Sequence, residues 1–138
     1  MWNLLIPLAA ALVLFFAAPP SIAYAENRCR IPEAGRWYNP RAASQQVRRI
    51  EIESHCSGGQ VVSRMRVFTR CSPRDCKWGW TEATRLTNGR LLARFPGLFG
   101  AREVEVIRME DRIEALVKIQ SHTPGTPDAF HAAILDRE

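Results

Sequence analysis

The chain has 138 residues and a formal net charge of +5 at pH 7, with 24% charged and 46% hydrophobic residues. Beyond an N-terminal apolar run, the remaining length suffices for one domain with a real core and is too short for two. That remainder shows no internal repeat, no low-complexity segment and no sustained helical period, which excludes a fold built on helices.

The apolar run comes first in the chain. Leu4 to Ala18 is interrupted only by Pro7, and Ala23-Tyr24-Ala25 supplies a small-x-small triplet after it. The run falls short of the roughly 20 residues that a spanning helix needs. Residues 1–25 therefore read as a secretory signal peptide cleaved after Ala25, leaving a single domain over residues 26–138. No Lys or Arg precedes the run, so an uncleaved membrane anchor is the competing reading.

From Glu26 to Trp80 there are eleven Arg or Lys against five acids, and from Thr81 onward eight against nine. The positive balance thus lies in the first half, largely as arginine. Such a face suits phosphate, carboxylate-rich polymer, lipid headgroups or nucleic acid, and it also serves simply to keep a surface solvated.

In chain order, Glu26 to Pro32 is an arm pinned by Cys29. Gly35-Arg36-Trp37-Tyr38-Asn39-Pro40 is a short aromatic strand that Pro40 ends. Arg41 to Val47 is the one stretch with room for a turn or two of helix. Gln46 to Ser54 alternates, with Ile50 and Ile52 on one face and Arg49, Glu51 and Glu53 on the other, as in a half-buried strand. Ser57-Gly58-Gly59-Gln60 is a turn. Val61 to Thr69 follows, with Val61, Met65 and Val67 on one face and Val62, Arg64, Arg66, Phe68 and Arg70 on the other. Cys71 to Cys76 encloses Pro73 and Asp75, a tight corner in which Asp is expected to bond local backbone N–H groups. Trp78 to Arg85 is the next strand. Asn88-Gly89 predicts a type I′ hairpin, which needs positive φ at both positions. Leu91 to Phe95 returns from it, and Leu98 and Phe99 are expected to tuck over a barrel end. Arg102 to Met109 pairs with Arg112 to Gln120 through a turn near Glu110-Asp111. Ala129 to Asp136 is the last strand.

These elements predict an all-β fold: about eight antiparallel strands closing as a single up-and-down β-barrel, a closure that removes exposed edges. A two-sheet sandwich is the alternative. All four cysteines (Cys29, Cys56, Cys71, Cys76) lie in the predicted mature chain. An even count in an exported protein reads as two disulfides, and of three connectivities the pairing 71–76 with 29–56 is favoured. His55-Cys56 and Cys71-x4-Cys76 match no zinc spacing, so no metal is assigned. No cofactor is assigned either. A redox role for Cys71 and Cys76 is the weaker alternative to a structural disulfide.

Two resemblances attach to these residues. Gly35-Arg36-Trp37, with Arg137 at the end of the last strand, resembles the lipocalin and avidin type of barrel. The resemblance implies that an arginine packs across the first-strand indole and closes one barrel end, a role carried here by Trp37 and Arg137. Cys71-Ser72-Pro73-Arg74-Asp75-Cys76-Lys77-Trp78-Gly79 resembles the C-x-P-x-D-C-x-W-G core of a family of small, mostly uncharacterised bacterial proteins that also carries an early G-x-W. Thr69-Arg70 stands where that family tends to have Trp-Gly. The resemblance spans roughly Gly35 to Arg137 and implies a fold but no activity.

Catalytic patterns are absent from the sequence. His55, His122 and His131 stand in no nucleophile or phosphate-loop motif. His122 falls in a solvated loop and His131 at a rim or outward position. Glu51/Glu53 and Glu103/Glu105 alternate with apolar residues, as the wet side of a strand does. The expectation is a non-catalytic binding protein, monomeric, exported to the periplasm or beyond. One version gives it a pocket for a small ligand, lined by Trp37, Tyr38, Trp78, Trp80 and Phe95. Another uses the outside, where Arg64, Arg66, Arg70, Arg74 and Lys77 with Trp78 or Trp80 would meet an anionic polymer or an acidic protein. An inhibitor docking a secreted hydrolase through the Cys71–Cys76 loop is the related alternative, and an enzyme of unknown type is the second. Nothing in these residues reads base edges, so nucleic acid is not an expected partner. A membrane partner is expected only if the signal persists.

Overall fold

A computed structural model describes residues 28–97 and 100–138. The predicted signal peptide, and Leu98 and Phe99, lie outside the described residues. Eight strands follow in order: β1 Gly35–Tyr38, β2 Val47–Ser57, β3 Gln60–Thr69, β4 Cys76–Arg85, β5 Leu91–Phe95, β6 Gly100–Met109, β7 Arg112–Ser121 and β8 Ala129–Arg137. Each pairs antiparallel with its neighbour, and β8 returns to β1, closing an up-and-down barrel. Period-two alternation explains the arrangement: one side of every strand is apolar and must face inward. Trp37, Ile50, Ile52, Met65, Val67, Leu91, Phe95, Val104, Ile113, Val117 and Leu135 form one buried cluster within. Side chains thus fill the interior, as a narrow eight-stranded barrel allows.

Several local expectations need correction. Both glycines of Gly58-Gly59 take positive φ, so the type I′ hairpin lies there and sets the β2–β3 register. At Asn88-Gly89 only Gly89 does so. Gly89 N–H donates to Leu86 O and Leu86 N–H to Arg90 O, a three-residue loop closed by a bulge. Residues 41–46 form turns, not helix. Their backbone bonds to β3's exit instead, through Gln45 N–H to Arg70 O and Arg70 N–H to Gln46 O. Val61 faces inward by parity yet is 50% exposed, beyond Ser63, where the β3–β4 pairing ends.

Both disulfides pair as expected, Cys71 with Cys76 and Cys29 with Cys56. The second ties the arm, residues 28–34, across the end of the barrel where β1 begins. There Trp37 donates from Nε1 to Glu33 O at 2.8 Å, and the Arg137 guanidinium lies 4.2 Å from the Trp37 ring centroid. Gly35 makes that contact possible: a Cβ on it would meet Arg137 Nη1 at 2.6 Å. Glu33 is buried and takes a two-pronged bond from Arg85, at 2.7 and 2.8 Å.

Candidate functional site: a basic, aromatic face on β1 to β4

The outward residues of β1 to β4 stand in cross-strand rows. The Gly58-Gly59 loop places Glu51 opposite Arg66 and Glu53 opposite Arg64. Across the remaining ladders, one row runs Arg36, Glu51, Arg66, Trp80, and the next runs Tyr38, Arg49, Phe68, Lys77.

Glu51 is the organiser of this face. It is not the wet side of a strand as alternation predicts, for it is only 6% exposed. Arg66 reaches its Oε2 from Nη2 at 2.6 Å, and Arg49 and Arg36 approach Oε1 at 3.2 and 3.6 Å. Oε1 and Arg49 Nε are buried without a hydrogen-bond partner. One carboxylate thus bonds Arg66 and draws Arg49 and Arg36 within ion-pair distance, with Arg36 also 3.9 Å from Glu138. Arg64 pairs with Glu53 at 2.7 Å.

The aromatic side chains lie under these cations. The Arg64 and Arg66 guanidinium carbons sit 4.5 and 4.7 Å from the Trp80 ring centroid. Phe68 points outward but is 2% exposed, covered by Arg49 at 4.0 Å and Arg66 at 5.2 Å. Such stacking lets an arginine's flat face cover apolar surface while its edge stays free to bond.

A bulge decides which tryptophan belongs to the face. Arg66 pairs with Trp80 and Phe68 with Lys77, so Trp78 and Gly79 together oppose Val67. Gly79 has φ of 79°, the conformation of a bulge glycine. The extra residue sends Trp78 inward and Trp80 outward, though their spacing alone would put both on one side. Trp78 packs on the core, edge-on to Phe95 at 5.4 Å, with Arg102 stacked over it at 4.5 Å.

The remaining predicted site residues divide. Trp37 is wholly buried and Phe95 nearly so, and the structure does not gather them with Tyr38, Trp78 and Trp80 around one space. Arg70 donates to Ala42 O at 2.9 Å and holds a loop. Arg74 and Lys77 are exposed and, among the described residues, have no ion-pair partner. Asp75 does not cap its own turn. It lies 3.4 Å from Arg48, which also donates to Tyr38 Oη at 3.0 and 3.2 Å. The hydrogen bond to Tyr38, then the Asp75 charge, raise the Arg48 pKa. This chain fixes the disulfide corner against β1 and β2.

The histidines do not converge. His55 is exposed on β2 and His122 on a loop. His131 is half-buried and faces inward opposite Val117, not outward, and burial lowers its pKa. Among the described residues no group of three or more His, Cys, Asp or Glu is placed to hold a metal. The sequence assigns Arg36 and Arg49 to no site and reads Glu51 only as solvated. Their signal lay in the two-glycine loop, which fixes the register that opposes acids to arginines. No protein-family model, curated protein or solved structure matches the chain.

Proposed function

We propose that the protein is an exported, non-catalytic, monomeric binding protein that takes an anionic polymer on the outer face of β1 to β4. The observation that carries this reading is the sharing of the buried Glu51 carboxylate by Arg36, Arg49 and Arg66, beside the stacked Trp80. Held in advance by Glu51 and by stacking on Phe68, Arg49 and Arg66 lose little side-chain entropy when a ligand arrives. Their planar forks suit carboxylate and sulfate groups. Arg74 and Lys77 extend the charge to the corner. The two disulfides are compatible with an oxidising, exported location, and the Arg137–Trp37 stack favours the lipocalin-like description of the barrel.

The test is a titration of the oxidised protein with dextran sulfate and with polygalacturonate, followed by tryptophan fluorescence. Saturable binding that weakens with salt, and falls about tenfold in Arg66→Ala, supports the reading. Absence of binding at low ionic strength, or unchanged affinity in a folded Arg66→Ala, overturns it.

A second reading is favoured by one feature. Ser72, Pro73 and Arg74 are exposed at the tip of a disulfide-closed loop, a shape that fits an acidic cleft of a secreted hydrolase. Hydrolase inhibition abolished by Arg74→Ala would favour it over the first.

A further inference from the structure

A second basic feature lies at the end of the barrel that the arm covers, away from the disulfide corner. A trough of about 360 Å³ there is lined by Arg30, Ile31, Pro32, Ala34, Arg108 and Arg137. Its arginines differ from those of the outer face in what they bond. Arg108 donates from Nη1 to Pro32 O and from Nε to Glu110 O, both at 2.6 Å. Arg137 donates to Ala34 O at 3.3 Å and to Pro32 O at 3.5 Å while stacked on Trp37. Carbonyls orient a guanidinium without cancelling its charge. Among the described residues, no carboxylate lies within ion-pair distance of Arg30, Arg108 or Arg137. Glu33 in the arm feels the Arg108 charge but gives its ion pair to Arg85.

We propose that this trough is a binding site for a phosphate group, free or as a monoester. Arg108 and Arg137 each keep N–H donors beyond those given to the carbonyls. Three cations with no carboxylate in ion-pair contact among the described residues favour a dianion over a monoanion, and a tetrahedral oxyanion has acceptors for several forks at once. The trough is larger than one phosphate, which leaves room for an ester substituent.

The experiment is calorimetric titration of the oxidised protein with inorganic phosphate, glycerol 1-phosphate and acetate at low ionic strength. One saturable site is expected, with phosphate bound about tenfold or more tighter than acetate. Arg30→Ala, an exposed position with no side-chain bond to other described residues, should weaken it about fivefold to tenfold, and Arg108→Gln by a similar factor. Arg41→Ala, an equal charge change at the other barrel end, should leave it unchanged. Tighter binding of the ester assigns an esterified ligand, and equal affinity assigns the free ion. Phosphate bound no better than acetate, or lost equally in Arg41→Ala, or unaffected in folded Arg30→Ala and Arg108→Gln, would overturn the proposal.

Discussion

The guanidinium of Arg137, from the last strand, lies across the indole of Trp37, from the first, at 4.2 Å from the ring centroid. The same two residues are register partners where β8 meets β1. That ladder is short, two register pairs and a Glu138 N–H to Arg36 O bond, and the stack adds a side-chain contact across the same seam. Trp37→Ala should cost about 3–5 kcal/mol in urea unfolding. Gly35→Ala, which drives a methyl into Arg137 Nη1, should cost about 1–3 kcal/mol. A loss in Trp37→Ala well below its expected range would mean that the stack does not close the barrel.

The Glu33–Arg85 pair gives a pH signature. Burial acts to raise the Glu33 pKa, but the hydrogen bond and charge of Arg85, a backbone hydrogen bond and the charge of Arg108 outweigh it, and the pKa falls below its ordinary 4.5. A lowered carboxylate pKa means that the stabilisation is complete above 4.5 and is lost as pH falls through the folded value. Thermal unfolding from neutral pH down to acid should show the wild type losing more stability than Glu33→Gln below that point. At neutral pH Glu33→Gln should be about 2 kcal/mol less stable.

His131 acts in a separate window. Burial lowers its pKa from 6.5, so folding favours the neutral ring. Its contribution is complete above 6.5 and declines as pH falls below that value, because the unfolded chain takes up the proton first. Unfolding midpoints just above and below pH 6.5 should diverge between wild type and His131→Asn. Parallel curves would contradict the inward, half-buried placement.

The two disulfides should differ in worth. In the chain-entropy model, the Cys71–Cys76 loop, with five residues of separation, contributes about 2 kcal/mol. Cys29–Cys56, separated by 27, contributes about 3.5 kcal/mol. Denaturant unfolding of the paired Cys→Ser variants should rank them in that order.

The strands and the closure were legible because period-two alternation registers on each strand separately: Ile50 and Ile52, or Ile113, Ala115 and Val117, need no knowledge of their neighbours. The cysteine pairing was legible from the even count and the short spacing of Cys71 and Cys76. What the alternation hid was anything set by a partner strand. Glu51 reads as solvated on β2 alone and becomes buried only under Arg66, Arg49 and Arg36. Trp78 and Trp80 read as one aromatic side, and the Gly79 bulge separates them. The stretch after Pro40 has helix-compatible residues, but bonds to Arg70 win over a helix too short to sustain itself. Asn88-Gly89 reads as a two-residue turn, and the flanking register takes a longer loop.

The account rests on Glu51 as the organiser of the arginine face, and Glu51→Gln tests it most directly. This substitution makes the face more positive by one charge while removing the anchor that Arg36, Arg49 and Arg66 share. The measurement is the affinity of the folded variant for dextran sulfate at low ionic strength, beside that of the wild type. Preorganisation predicts a loss of about threefold to tenfold despite the added charge. An affinity equal to or above the wild type would show that charge alone holds the polymer, and would contradict the account.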